Sequence, residues 1–253
     1  MISERSFAKT FHAFWRELLP LLTPHFVSLF NEAYALELFD DSGAALLPLP
    51  VGDGVERMDL VAEYGFRFVQ LSAPRFAGGE HHPVTSDLMT EAERAGLTLI
   101  QRYEGIKPEE VVPLSDVEKM EGNALAERYV HLFRHYTPAD PVTFDPIIQG
   151  AGFLSSCQGD ISVGSDLVEV KTTTRKVSGN DIRQVVIYAA LDAASGQRRW
   201  THFSIFNPRR GSLHRANIDN LIQKLSGGQA PLNVFDELIT FVCSNDVLTE
   251  RRF

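Results

Sequence analysis

The chain has 253 residues, 44% of them hydrophobic and 23% charged, enough for one full-sized domain or a compact one with a smaller neighbour. Its net charge of −9 argues against a protein that coats nucleic acid without selectivity. No apolar run reaches about 18 residues, so no membrane span is expected, and two cysteines, Cys157 and Cys243, are too few for a disulfide framework, a Cys-rich zinc site or a four-thiolate cluster.

At the N-terminus Glu4, Lys9, Arg16 and Glu17 interrupt the apolar core that a secretory signal needs, so a cytoplasmic location is expected. Phe7, Phe11, Phe14 and Leu18 recur at helical spacing and predict an amphipathic helix over 6–19, closed by Pro20. The stretch from Tyr34 to Leu49 reads as a hairpin, and FRFVQL (66–71) as a strand. A short helix is expected from Thr85 or Ser86 to Gly96, with LTLIQRY following as a strand. The adjacent pair His81 and His82 reads as loop. GIKPEEVVPLS (105–115), with its prolines and charges, is the natural boundary candidate.

Beyond it the local signals are sharper. Ser115 and Glu118 form a capping box, opening a helix to about Tyr136 with Leu125, Tyr129, Leu132, Phe133 and Tyr136 on one face. Strands are expected at Val142 to Ile148, around Asp160 to Val163, and at Leu167 to Thr173. A helix then covers roughly Asn180 to Ala193, a strand His202 to Phe206, and two apolar-patterned segments, IDNLIQKL and VFDELITFV, follow. This order predicts an α/β unit with helices packed on a short mixed sheet.

The chemistry centres on DLVEVKTTT (166–174). Glu169 and Lys171 lie two apart in an apolar strand and so point to the same face. Burying both is costly unless they are paired or coordinate something. Asp160, at hairpin distance upstream, can stand beside Glu169, and two adjacent carboxylates repel unless a cation lies between them. Mg²⁺ is bound by such a small set of oxygens with water and phosphate completing its shell. A cross-strand salt bridge on a solvated face is the alternative. Gln184 and Tyr188, four apart, share a face of the following helix. In GNALAERY, Glu127 follows Gly122; it is either a further ligand from a helix or a surface glutamate paired with Arg128 or Arg134.

Asp160, Glu169-Val170-Lys171 and the Gln184/Tyr188 helix together resemble the core of the PD-(D/E)XK nuclease superfamily. Gln-x-x-x-Tyr is similar to the branch containing the RecB nuclease domain and lambda exonuclease. GNALAERY resembles the first core helix of that fold, with Glu127 at the position of its glutamate. The resemblance spans about residues 115–210 and implies a restriction-endonuclease-like core, a central mixed sheet flanked by helices, over 111–253. An N-terminal α+β accessory domain would occupy 1–110.

The resemblance further implies a Mg²⁺- or Mn²⁺-dependent phosphodiesterase acting on DNA, with RNA as the alternative substrate and an inactive assembly subunit as the alternative role. Asp160 and Glu169 would be metal ligands, with the Val170 carbonyl and Glu127 as further ones. Lys171 would position the attacking water, and Gln184 and Tyr188 would support the site. Gly159 stands where the family name expects proline.

Between Lys171 and Lys224 ten Lys/Arg face three Asp, whereas residues 1–170 carry 12 Lys/Arg and 26 Asp/Glu. That asymmetry suits either a polyanion-binding surface or a solvated face. Arg175, Lys176, Arg183, Arg209 and Arg210 are the candidates for phosphate contacts flanking the scissile bond. His202 and His214 read as hydrogen-bonded histidines. No P-loop is present, so a motor or sensor would be a separate protein, and breaking both strands would need a homo-oligomer or two events. The additional N-terminal domain points by analogy to a restriction or anti-phage system, since such nucleases commonly carry a target-sensing or partner-docking module.

Overall fold

The computed structural model describes residues 1–76, 86–104 and 112–244. Its elements in the first half are α1 (Glu4–Lys9), α2 (His12–Leu18), α3 (Pro24–Ala33), β1 (Ala35–Glu37), α4 (Met58–Phe76), α5 (Ser86–Glu104) and α6 (Asp116–Phe133). There follow β2 (Val142–Phe144), β3 (Ile147–Ile148), β4 (Cys157–Gln158), β5 (Ile161–Val163), β6 (Asp166–Val170) and α7 (Gly179–Ala194). The chain then continues through β7 (His202–Asn207), β8 (Ser212–Asn217), α8 (Ile218–Leu225) and α9 (Pro231–Cys243).

Strands β6 and β7 are parallel, and parallel neighbours need a crossover, which α7 supplies. The remaining pairs are antiparallel, so the six-stranded sheet, in the order β1-β8-β7-β6-β5-β2, is mixed. Strands β3 and β4 form a separate ribbon. Helices cover both faces of the large sheet. On one, α7 packs with α1 and α9, and Ile182 and Val186 join Phe7, Trp15, Leu167 and Phe203 in a core. On the other, α4 packs with α5 and α6, and Tyr64, Leu125 and Tyr129 meet Ile161, Val168 and Phe206. Alternate residues of β6 thus feed opposite cores, as a period of two requires. Segments on either side of residue 110 enter both cores, and β1 pairs with β8, so the described residues before 105 are built into the same layers as those after 111.

Several sequence expectations are corrected. FRFVQL lies inside α4, a 19-residue helix whose buried Leu60, Val61, Tyr64, Phe68 and Val69 follow a helical period visible only in the wider window. LTLIQRY continues α5 through Gly96. That glycine stops nothing: a Cβ there would lie 3.4 Å from the Tyr64 backbone nitrogen, so its role is close helix contact. The 6–19 helix is broken into α1 and α2 at Phe11, which takes a left-handed conformation (φ 55°). The Tyr34–Leu49 hairpin is reduced to a turn, with Asp40 Oδ1 accepting from the Ser42 and Ala44 amides and a single bridge between Phe39 and Ala45. The strand expected over Val142–Ile148 is split between two sheets at Asp145, where φ is 51°. His81 and His82 lie outside the described residues, as does most of the 105–115 boundary.

Helix α6 begins where the capping box placed it. Ser115 accepts from the Glu118 amide, and the Glu118 carboxylate accepts from the Ser115 amide at 2.9 Å. The same carboxylate is buried against Arg57, which donates from Nη2 at 2.5 Å and Nε at 3.0 Å. Arg57 also holds the Val112 and Pro113 carbonyls. Gly122 lets α4 approach α6, since a Cβ there would lie 2.4 Å from the Tyr64 ring.

Hydrogen bonding from Arg57 brings the Glu118 pKa down from 4.5 to about 2, against the opposing effect of burial. A lowered folded-state pKa means this stabilisation is complete above 4.5 and is lost as pH falls towards 2. Glu118→Ala should therefore cost about 2 kcal/mol at neutral pH, with the difference from wild type narrowing by about pH 3; urea denaturation at the two pH values measures both.

Candidate active site

The β5–β6 hairpin sets the site. Its turn passes through Gly164 at φ +55°, and the register pairs Ile161 with Val168 and Ser162 with Leu167. Asp160 lies one step beyond that ladder, beside Glu169. Its Oδ2 accepts the Val170 amide at 2.6 Å, and its carbonyl accepts the Asp145 amide at 2.9 Å. Gly159 donates its own amide to the Pro146 carbonyl at 3.0 Å, a bond that a proline at this position could not make.

Glu169 is 0% exposed and projects from β6 towards α7. Lys171 Nζ donates to Glu169 Oε1 at 2.6 Å and to Gln184 Oε1 at 2.8 Å. The Gln184 amide group donates in turn to the Tyr188 hydroxyl at 2.7 Å and, more weakly, to Glu4 Oε1 at 3.4 Å. Each polar group on this helix face therefore holds the next, which explains why Gln184 and Tyr188 are buried with their polar atoms paired.

One atom breaks the pattern: Glu169 Oε2 is buried without a hydrogen-bond partner. Burial, reinforced by the charge of Glu169, raises the Asp160 pKa to about 8. Two carboxylates held this close, one with an orphaned oxygen, are a donor set that suits a hard divalent cation. Among the described residues no three His, Cys, Asp or Glu side chains gather as a ready ligand group; the set is two carboxylates, the number with which Mg²⁺ commonly keeps waters.

Asp160 lines a cleft of about 960 Å³ between the α1–α7 layer and the α4–α5 layer. Asp160, Val170, Lys171, Gln184 and Arg175 line it, with Glu169 and Tyr188 buried behind. Arg175 is held by both Asp181 oxygens, at 2.5 and 2.9 Å. Lys176 is exposed beside it, and Arg210, half-buried, donates to the Thr174 carbonyl at 2.9 Å; neither lines the cleft.

Three further expected site residues also lie outside the cleft. Glu127 is exposed, because the buried face of α6 carries Leu125, Ala126, Tyr129 and Leu132; Tyr129 is the α6 residue in the cleft. Arg183 turns onto α1, donating to the Ala8 carbonyl at 3.2 Å with its guanidinium 5.6 Å from the Trp15 ring centre. Arg209 is 2% exposed and paired with Glu121, so it secures the loop after β7 rather than meeting a ligand.

Other residues enter unanticipated. Arg67 of α4 donates to Glu63 Oε1 and Asp145 Oδ2, each at 2.5 Å, and all three line the cleft. Burial raises the Glu63 pKa despite Arg67. The i,i+4 spacing of Glu63 and Arg67 was the available signal, hidden once the segment was read as a strand. Glu4 and Arg5 carry no motif at all.

The fold and site together define an α/β protein with a buried carboxylate–lysine cluster at the end of an interior strand of a mixed sheet, beside a cleft between two helical layers. Searched against models of known families and against curated proteins, the chain matches none.

The raised Asp160 pKa has a thermodynamic sign. An acid whose pKa is higher in the folded state loses stability as pH rises from its ordinary 3.8 through about 8. In EDTA, Asp160→Asn keeps the acceptor for the Val170 amide while removing the charge. It should raise the melting temperature at pH 8 by about 2–4 °C for each kcal/mol relieved and flatten the decline between pH 4 and 8. Lys171→Met, which strips Glu169 of the ammonium facing it, should lower the melting temperature; calorimetry in EDTA reads both.

Proposed function

We propose that the chain is a divalent-metal-dependent nuclease that hydrolyses phosphodiester bonds in DNA, the nuclease component of a restriction or anti-phage system. The observation that carries this reading is the hydrogen-bonded chain Glu169–Lys171–Gln184–Tyr188 with Asp160 held beside it on the Val170 amide, in which one buried Glu169 oxygen has no partner. With the separate β3–β4 ribbon set aside, the order α6, β2, β5, β6, α7, β7 in a mixed sheet flanked by helices is compatible with the PD-(D/E)XK resemblance.

Asp160, Glu169 and the Val170 carbonyl would hold the cation, which when bound supplies Lewis-acid polarisation of the phosphate and a more acidic water. The protein's own groups do the positioning. Lys171 is fixed by two acceptors, leaving its remaining N–H for a water or phosphate oxygen in the cleft. Its charge offsets the negative charge that builds on the phosphate as the nucleophile attacks. Gln184 cannot rotate away, because Tyr188 and Glu4 accept from the other end of its amide.

Purified protein incubated with plasmid, linear duplex and single-stranded DNA, and RNA, in Mg²⁺ or Mn²⁺, tests the reading. Wild type should cleave DNA, and Asp160→Ala and Lys171→Ala should each lose at least about 100-fold in rate. Equal cleavage by all three proteins would refute the site; cleavage confined to RNA would refute the substrate.

A further inference from the structure

We infer that the cleft is built for a single nucleic-acid strand rather than a duplex, with the strand's phosphates held on the α1–α7 side by Arg5, Lys9 and Arg175. The inference rests on the nuclease reading and concerns which substrate that site accepts. What carries it is a difference in charge between the two walls.

On the α1–α7 wall stand Arg5, Lys9 and Arg175, with Asp181, which Arg175 already engages, and with Asp160 and Glu169, whose charges act on Arg5. Arg5 is 64% exposed, with Glu4 as a loose partner at 3.6 Å, and Lys9 is exposed one helical turn further on. The α4 wall, with Asp145 against it, is the reverse: among the described residues it sets Asp59, Glu63 and Asp145 against one cation, Arg67, whose guanidinium is shared between Glu63 and Asp145. Around those carboxylates the same wall presents Ala62, Phe66 and, from α5, Leu99.

A duplex carries phosphates on both flanks. Seated over Lys171, it would bring one backbone to the cations and press the other towards three carboxylates, a like-charge contact that costs affinity. A single strand has its phosphates on one side and its bases on the other. Its backbone can follow Arg5, Lys9 and Arg175, while its bases meet apolar side chains and carboxylate acceptors for their exocyclic amines. Arg5 also lies in the field of Glu169 and Asp160, and both Arg5 and Lys9 come from a helix outside the segment that carries the nuclease-like motifs.

The test is fluorescence anisotropy with the wild-type chain, using Ca²⁺ in place of Mg²⁺, and one labelled 15-nucleotide sequence as single-stranded DNA, single-stranded RNA and blunt duplex DNA. At least one single strand should bind at least about tenfold more tightly than the duplex. The double variant Arg5→Ala/Lys9→Ala should weaken that binding at least about fivefold and make the slope of log affinity against log salt shallower by about 1.4, the value for two lost phosphate contacts on a single strand. Asp59→Lys, which reverses the charge of an exposed residue on the opposite wall, should strengthen duplex binding and narrow the gap.

Equal or tighter binding of the duplex, an unchanged salt slope in the double variant, or no binding of any oligonucleotide would overturn the inference. Hydrolysis in Mg²⁺ is scored separately. Indifferent cleavage of single strand and duplex would remove the strand preference and leave the nuclease reading standing. Single-strand preference in binding with no hydrolysis would do the opposite.

Discussion

The carboxylate of Glu169, 0% exposed in the middle of the molecule, is the constraint around which the rest is arranged. An ionised carboxylate withdrawn from water is expensive unless its oxygens are satisfied. Here one oxygen has Lys171 and the other has nothing from the protein. Lys171 in turn needs Gln184, Gln184 needs Tyr188 and Glu4, and Asp160 is locked by the Val170 amide. A sequence selected for stability alone would place an apolar residue at 169, where both helical layers already bury the strand's neighbours Leu167 and Val168. The carboxylate is there nonetheless, and the proposed cation would supply the partner that the protein does not.

The surroundings follow from that need. The parallel β6–α7–β7 crossover brings Gln184 and Tyr188 over the end of β6, and the β5–β6 hairpin brings Asp160 beside it. Pairing of the Asp145 amide with the Asp160 carbonyl then links this edge to α4 through Arg67. The site is thus shared between both cores, and α1 and α4, from the first third of the chain, form opposite walls of the cleft.

What could be read from the sequence was what is encoded locally. The capping box of Ser115 and Glu118, the hairpin around Gly164 and the helix bearing Gln184 and Tyr188 depend on residues a few positions apart, and each lies where its pattern placed it. The α4 and α5 segments misled because FRFVQL and LTLIQRY are short apolar runs, which periodicity alone cannot assign to strand or helix. The pairing of β1 with β8 joins Ala35 to His214, and no local pattern records a contact at that separation. Glu127 could have been placed from the sequence: two residues after Leu125, which packs inward, a helical side chain points roughly the opposite way. Arg183 and Arg209 show the converse limit, since positive charge in a loop or helix does not say whether the guanidinium meets solvent, a carbonyl or a carboxylate.

The central claim is that Asp160 and Glu169 exist to hold a divalent cation, and the most direct measurement is the crystal structure of the wild-type chain grown with Mn²⁺. The expected result is an anomalous peak between these two carboxylates, touching Glu169 Oε2 and absent from crystals of Glu169→Gln. A wild-type site that shows no peak at millimolar Mn²⁺, or a peak that binds elsewhere and leaves Glu169 Oε2 without a partner, would contradict the account.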